Sequence, residues 1–441
     1  MAGAHGEADA PAAARVVLPF RVVGVTGTNG KTTTTTLIEA IAARAGERTG
    51  RATTLGSWVR GAQVSEETSL ESIRRTMAAA VAGGVRTMAL EMTSYALSRG
   101  VARELPPTVG VFTNLSRDHL DYHGTPEAYL ASKAQLFMSL PPASEGGAAV
   151  FNAADPASAL LNEITPPGVR RLAYAARPVD PACAALAAGG CALEAASVVV
   201  DRRGTHLRLV PSPLAERLGG ALDLRLLGEV HAENALAAAV AADALGHPAA
   251  AIREALAAFP GVPGRFELVD RAVDGAVDGR AGPMVVVDYA HTPDALERTL
   301  RLARSLVAPS NGRVLLVFGC GGDRDRGKRP EMGRIASRLA DVVIVTTDNP
   351  RNEDPQSIEK MIFAGVEGRF PRPERITERG RAIRRAIEIA EDPDIVVIAG
   401  KGHEKTQVFR DHAVPFDDVE VARSAPRAAD GETGRKAGHE V

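Results

Sequence analysis

The chain has 441 residues, 45% of them hydrophobic, and its 52 basic and 54 acidic side chains give a net charge of -2. That length exceeds one ordinary core, so two or three domains are expected, and the even charge balance argues against nucleic acid or an anionic membrane as a partner. Cys183, Cys191 and Cys320 are spaced too widely for a metal knuckle, residues 1–16 lack the charged start and apolar core of a signal peptide, and no apolar run is long enough to span a bilayer. A reducing, cytoplasmic setting is the expectation.

Residues 20–26, FRVVGVT, read as a buried strand running into the Gly-rich turn GTNG, after which KTTTTTLIEAIAARAG has the apolar spacing of a helix. A helix over 70–83, strands over 86–92 and 108–115, and a helix over 126–140 continue the alternation of a parallel, doubly wound α/β sheet. Residues 175–222 are rich in Ala, Gly and Pro and read as peripheral strands of the same domain. Helices are predicted from Glu233 to Leu245 and from Ala249 to Phe259, and then FPGVPGRFE breaks the periodicity and marks a domain boundary. Beyond it, apolar strands at 284–290, 312–320, 340–348 and 393–400 predict a second, smaller Rossmann-like α/β domain. The expected organisation is a disordered segment 1–18, a central P-loop domain 19–260, a C-terminal domain 261–424 and a disordered tail 425–441.

The first chemical signal is GVTGTNGKTT at 24–33. Successive backbone N–H groups of Gly27, Thr28, Asn29, Gly30, Lys31, Thr32 and Thr33 can cradle phosphate oxygens at the positive end of the following helix. Lys31 is suited to the β- and γ-phosphates and the Thr32 hydroxyl to Mg²⁺, a hard cation that takes oxygen ligands. The first glycine is Gly24 and position 25 is Val, a small departure from the usual phosphate-loop spacing. Glu91 closes a strand at its carboxyl end, where an open α/β sheet places its ligands, and reads as a second metal ligand. Lysine is scarce, with seven among the 52 basic residues, so a Lys inside a motif points to a need for a primary amine rather than for charge alone.

FTNLSRDHLDYHGTPEAYLASKAQLF at 112–137 is far more specific. Together with GTNGKTT and the Glu91-x-x-Ser94 spacing, it resembles the Mur ligases, most closely the branch that adds the third residue of the peptidoglycan stem peptide to UDP-N-acetylmuramoyl-dipeptide. The resemblance runs from about residue 20 to about residue 424. It implies an ATP-dependent ligase that converts a carboxylate to an acyl phosphate and lets an amine displace the phosphate. It further implies two Mg²⁺ ions, with His119 and a carbamylated Lys133 joining Thr32 and Glu91 as metal ligands. A neutral Lys amine captures CO₂ to become an oxygen-bearing anion, which Arg cannot do. By the same resemblance Asn234 of GEVHAENALAA contacts adenine, Arg265 of GRFE reaches the γ-phosphate when the domains close, and Asp288 and His291 of DYAHTPDAL belong to a nucleotide-contacting loop. GCGGDRDRGKRPEMG at 319–333, which contains Arg329, is a Gly-rich basic loop after a strand, and DNPR at 348–351 and GKGHE at 400–404 also lie at strand ends. DNPR resembles the version that selects meso-diaminopimelate, so the amine-side set is Arg329, Asp348, Asn349, Arg351, Gly400 and Glu404, with an Arg gripping the distal carboxylate as a two-pronged donor.

The acyl side departs from the family. The usual Thr-Thr-Pro reads Glu67-Thr68-Ser69, Ser-Ser-His reads Thr93-Ser94-Tyr95, and an expected Arg is Val101; the Phe-Asn ahead of Asn234 reads Val230-His231. Only residues 1–19 precede the phosphate-loop strand, so an N-terminal UDP-binding domain is expected to be absent. The expectation is therefore a ligase that keeps the chemistry and an amino-acid nucleophile but takes a carboxylate without the UDP-sugar handle, contacted by Thr68, Ser69, Thr93, Ser94 and Tyr95. The alternatives are the housekeeping UDP-N-acetylmuramoyl-L-alanyl-D-glutamate ligase, a folylpolyglutamate synthetase-like enzyme, and a non-catalytic nucleotide-binding paralogue. A monomer acting on small molecules is expected, with a partner that supplies the acyl substrate as the other option.

Overall fold

The computed structural model describes residues 18–66, 69–116, 119–269, 282–368 and 372–426. The segments expected to be disordered lie almost wholly outside the described residues, as does Thr68. The chain divides into two compact units that meet in sequence at Pro260 and Gly261.

In the first unit β1 (Arg21–Thr26) is β-branched on both faces, with Val22, Val23 and Val25 fully buried, as befits a central parallel strand. It leads into α1 (Lys31–Arg44), whose run of threonines is a poor helix former by itself, yet Thr32 to Thr35 are all buried, so tertiary packing overrides propensity. There follow β2 (Thr49–Thr53), β3 (Gly56–Val59), β4 (Ala62–Ser65), α2 (Leu70–Ala82), β5 (Thr87–Glu91), α3 (Ser94–Ser98), α4 (Val101–Glu104), β6 (Val109–Phe112), α5 (Leu120–His123) and α6 (Pro126–Met138). The unit continues through β7 (Ala148–Asn152), α7 (Ala157–Ile164), β8 (Arg170–Ala175), α8 (Ala184–Ala187), β9 (Leu193–Asp201), β10 (Gly204–Leu209), α9 (Pro213–Arg217), β11 (Ala221–Leu224), α10 (Glu229–Ala244) and α11 (Ala249–Ala258).

Among the described residues the strands form one sheet in the order β11-β10-β9-β8-β7-β6-β1-β5-β2-β3-β4. The inner strands are parallel, but both margins are antiparallel: β2-β3-β4 is a meander, and β9-β10-β11 is a second one. The expected parallel, doubly wound sheet forms the middle, and the margins turn antiparallel because short links such as Thr54-Leu55 and Arg202-Arg203 leave no room for a crossover helix. Helix α10 starts at Glu229, a turn before the expected Glu233, which brings His231 and Asn234 onto one helix. Its alanine-rich sides, buried from Ala235 to Ala242, let it lie close to its neighbours.

The second unit holds β12 (Glu267–Leu268), β13 (Met284–Asp288), α12 (Pro293–Val307), β14 (Val314–Phe318), α13 (Lys328–Leu339), β15 (Val342–Val345), α14 (Pro355–Phe363), β16 (Glu374–Arg375), α15 (Arg379–Glu388) and β17 (Ile395–Ala399). A small hairpin, β18 (Thr406–Val408) with β19 (Ala413–Pro415), and α16 (Asp418–Ser424) close it. The sheet order is β12-β13-β17-β14-β15-β16, parallel except for the antiparallel edge strand β12. Fully apolar runs such as VLLVF and IVVIA fill its middle. Parallel pairing places Asp288, Gly319, Asp348 and Gly400 at the carboxyl ends of four strands, where such sheets bind ligands.

Cys183 and Cys191 are buried in a small cluster with Ala153, Ala173 and Ala175, and Cys320 is buried beside Met332. Among the described residues no helix is long and apolar enough to cross a membrane.

Candidate functional site

The loop between β1 and α1 is shaped by bonds from the strand beside it. Thr28 N donates to Asn114 O at 2.8 Å, Asn29 N donates to Asn114 Oδ1 at 2.9 Å, and the Thr113 hydroxyl donates to Asn29 O at 2.6 Å. Gly30 opens α1 at φ 83, a left-handed conformation that only glycine adopts cheaply. A methyl group there would lie 2.2 Å from Asn234 Oδ1, which also accepts from the Thr34 hydroxyl at 3.3 Å. Asn234 is therefore seated against the phosphate loop itself. Lys31 Nζ curls back to Thr28 O at 2.9 Å and stands 3.9 Å from Glu91 Oε1. Thr33 is buried in the first turn of α1.

The Thr32 hydroxyl donates to Glu91 Oε2 at 2.7 Å, and the same oxygen accepts Thr54 N at 3.1 Å. Two hard oxygen donors thus stand together at the loop, as a small hard cation requires. Among the described residues no three His, Cys, Asp or Glu side chains converge as a protein-only metal cage.

Lys133, on α6, is 1% exposed; its Nζ donates to Gly27 O at 2.7 Å and lies 4.1 Å from the centre of the Tyr129 ring. A side chain 106 residues downstream is thereby brought to the phosphate loop. His119 has a left-handed backbone, φ 53, and its ring meets Tyr95 edge-on at 5.1 Å, with Tyr95 OH 3.5 Å from Nδ1. Such a conformation is costly for a side chain larger than glycine and is kept where surrounding contacts impose it.

The acyl-side residues divide. Ser69 and Thr93 are helix N-caps, accepting from Ser72 N and Ala96 N. Ser94 is buried and bonds His123 Nε2 at 2.9 Å, while His123 Nδ1 bonds the Ser132 hydroxyl at 3.2 Å. Val101, at 3% exposure, points into the apolar core, so that position offers no contact to a ligand.

In the second unit Asp288 accepts from Phe266 N at 2.7 Å, Ala290 N at 3.1 Å and the Thr299 hydroxyl at 2.9 Å, and burial pushes its carboxyl up. It thereby fixes the backbone beside Arg265, whose guanidinium lies over the Tyr289 ring at 4.9 Å. His291 Nδ1 bonds Tyr289 O, and Lys328 Nζ donates to His291 O. Arg329 is fully buried and makes a two-pronged pair with Glu353, at 2.8 and 3.0 Å, and also donates to Gly321 O. That pair holds the Glu353 carboxyl far down, at about 2. In this arrangement Arg329 braces the Gly-rich loop. Arg351, at φ 50, donates to Gly322 O at 2.8 Å.

Asn349 and Glu404 come together, Nδ2 donating to Oε2 at 2.6 Å. Gly400, φ 115, lets Asp348 approach: a methyl group there would be 2.5 Å from Asp348 Oδ2. Asn114, Thr113, Thr54, Tyr129, Lys401 and Glu353 all shape these sites without having been singled out by sequence. Asn114, Thr113, Tyr129 and Lys401 do sit inside quoted motifs, whereas Thr54 and Glu353 carry no sequence signal.

Comparison with known proteins agrees with both halves. The Mur ligase middle domain matches residues 25–242, and the Mur ligase glutamate ligase domain matches residues 264–402. The UDP-N-acetylmuramoyl-L-alanyl-D-glutamate--2,6-diaminopimelate ligase of Synechococcus elongatus is 41% identical over 414 residues, covering 92% of this chain and 76% of that protein. A solved structure of a ligase of the same name matches with a TM-score of 0.67 at 34% identity, covering 93% of this chain and 79% of the other. A folylpolyglutamate synthase of Thermotoga maritima, 18% identical with a TM-score of 0.62 over 87% of this chain and 86% of its own, shares the fold alone. With family models spanning both units and that degree of identity along nearly its whole length, the chain belongs to the Mur ligase family and is an ATP-dependent amino-acid ligase.

Proposed function

We propose that this ligase joins 2,6-diaminopimelate to the free carboxylate of UDP-N-acetylmuramoyl-L-alanyl-D-glutamate through an acyl phosphate. The observation that carries the amine is the Asn349–Glu404 pair at the strand ends of the second unit, with Arg351 beside it in DNPR. The pair sets an amide donor and a carboxylate side by side, matching an amino-acid end that bears both a carboxylate and an ammonium group. The similarity to diaminopimelate ligases favours the stem-peptide carboxylate over the unfamiliar one expected from the acyl-side departures.

In the first unit Gly27 to Thr33 hold the phosphates by backbone N–H groups, and Lys31 faces the transferring group. Thr32 and Glu91 would hold Mg²⁺, with His119 and a carbamate on Lys133 serving a second ion; bound there, the metal neutralises charge on the phosphoryl group. The Lys133 amine suits that role because it lies on the phosphate loop at Gly27 O. The substrate carboxylate attacks the γ-phosphorus and releases ADP, and the amine then displaces phosphate. Asn234 is assigned to adenine, Arg265, Asp288 and His291 to the nucleotide, and Ser94 and Tyr95 to the acyl substrate.

A second reading keeps the reaction and the amine but changes the carboxylate, and Tyr95 against His119 favours it, since a phenol replaces the family's imidazole at that place. Phosphate release from ATP, measured with diaminopimelate and a panel of carboxylates, decides between them. Robust release with UDP-N-acetylmuramoyl-L-alanyl-D-glutamate is expected; release with another carboxylate and not with that one would turn the assignment to the second reading.

A further inference from the structure

Lys401 is one of the chain's few lysines, is fully buried, and has no role in the assignments above. Its Nζ donates to Asn349 Oδ1 at 3.2 Å, Glu404 Oε2 at 3.2 Å and Thr406 O at 2.5 Å. An ammonium has three N–H donors, so all three are used and none is left for a substrate. We propose that Lys401 is a positioning residue that sets the selectivity of the amine site, by fixing which face of the Asn349 amide and which oxygen of Glu404 meet the amino acid. The inference rests on the diaminopimelate reading of that site.

The bonds leave little freedom. Asn349 Oδ1 accepts from Lys401 Nζ and from Val408 N at 2.9 Å, so both of its lone pairs are turned inward. A flipped amide would set Nδ2 against two donors, which is unfavourable in a buried setting. Nδ2 is consequently held toward Glu404 Oε2 with one N–H to spare, a donor for a ligand carboxylate. Glu404 Oε2 already accepts from Asn349 and Lys401, and among the described residues Oε1 receives no hydrogen bond, so it is the acceptor for a ligand ammonium. The side chain of Glu404 is 31% exposed, whereas that of Lys401 is 0% exposed, as this division of labour requires. A compact amine is needed because an Arg fork would not fit three acceptors around one nitrogen, which accounts for a Lys here in an Arg-rich chain.

The test compares parent, Lys401→Met and Lys401→Gln with diaminopimelate and with lysine, which lacks the distal carboxylate. Hydroxylamine as the nucleophile reports acyl phosphate formation by itself. The expected result for K401M is a KM for diaminopimelate raised about tenfold or more, with kcat, the KM for ATP and hydroxamate formation little changed. The ratio of kcat/KM for diaminopimelate over lysine should fall toward one, and K401Q, which keeps a neutral N–H on a similar arm, should recover part of it. An unchanged ratio in K401M overturns the proposal, as does a parent enzyme that fails to distinguish the two amines. A collapse of hydroxamate formation together with the ratio would mark a general folding defect, and K401Q then decides, since equal loss with both amines in that variant also overturns it. Absence of hydroxamate in the parent, by contrast, would count against the ligase reaction proposed for the stem-peptide carboxylate rather than against Lys401.

Discussion

At Gly30 a single methyl group meets two obstacles, the left-handed backbone and the side-chain oxygen Oδ1 of Asn234 at 2.2 Å. Gly30→Ala should cost about 1–3 kcal/mol in urea unfolding, and adding Asn234→Ala should recover the part due to the clash but not the part due to φ. Lys133 offers a chemical test at the same scale. Lys133→Arg keeps the charge and the contact to Gly27 O within reach but cannot form a carbamate, so kcat should fall by roughly a hundredfold or more with bicarbonate unable to restore it. An active K133R enzyme would refute the carbamate.

Among the elements, legibility followed chemistry. The phosphate loop, Glu91 and the four strand ends of the second unit could be read because each is a local pattern, a glycine-rich turn or an apolar run with a polar residue at its end. The β2-β3-β4 margin of the first sheet could not, because strands such as TGRAT and AQVS alternate weakly and gain their place only by pairing, whereas β9 and β10 fall in the stretch legible as peripheral strands. Helix α10 begins a turn before the expected Glu233; Glu229 to Ala232 show no apolar stripe in sequence, and only His231 and Ala232 of that turn are buried. Arg329 read as a ligand from its loop; its bond to Glu353, 24 residues on, depends on a tertiary approach that no spacing announces. Lys401 was within reach of the rule that a rare lysine in a motif wants an amine, though its partner Thr406 O is a backbone group and invisible in sequence. The pair of Arg379 and Asp418 joins α15 to α16 with both side chains almost wholly buried and two bonds of 2.7 Å. Asp418→Asn leaves a buried guanidinium without its counter-charge and should destabilise the second unit by about 3–5 kcal/mol, read from its urea midpoint.

On the scale of the whole molecule, stability should depend on pH through His231. Its Nδ1 is buried without a hydrogen-bond partner, and burial pushes the imidazole down to about 4. An unfolded His titrates near 6.5, so between about pH 6.5 and 4 the unfolded chain takes up a proton that the folded chain refuses. The contribution is fully present above that window and is lost as the pH falls, by about 3 kcal/mol in all. Asp155, Glu233 and Asp288, whose carboxyls burial pushes up, act in the opposite sense, so the measurement must be a difference. Unfolding free energy measured at pH 7 and pH 4.5 should drop by about 2–3 kcal/mol more in the parent than in His231→Leu.

The three thiols have a practical consequence for following this enzyme at work. All are buried, and burial pushes Cys191 up to about 11 and Cys320 to about 12, with Cys183 raised as well, so little thiolate exists at neutral pH. Thiol-directed dyes react through the thiolate and should therefore pass over the native chain. A cysteine introduced at exposed Glu163 in the first unit, or at exposed Lys360 in the second, becomes a selective attachment point without any prior removal of native residues. A fluorophore at either place would let substrate binding to that unit be followed with the native thiols left in place.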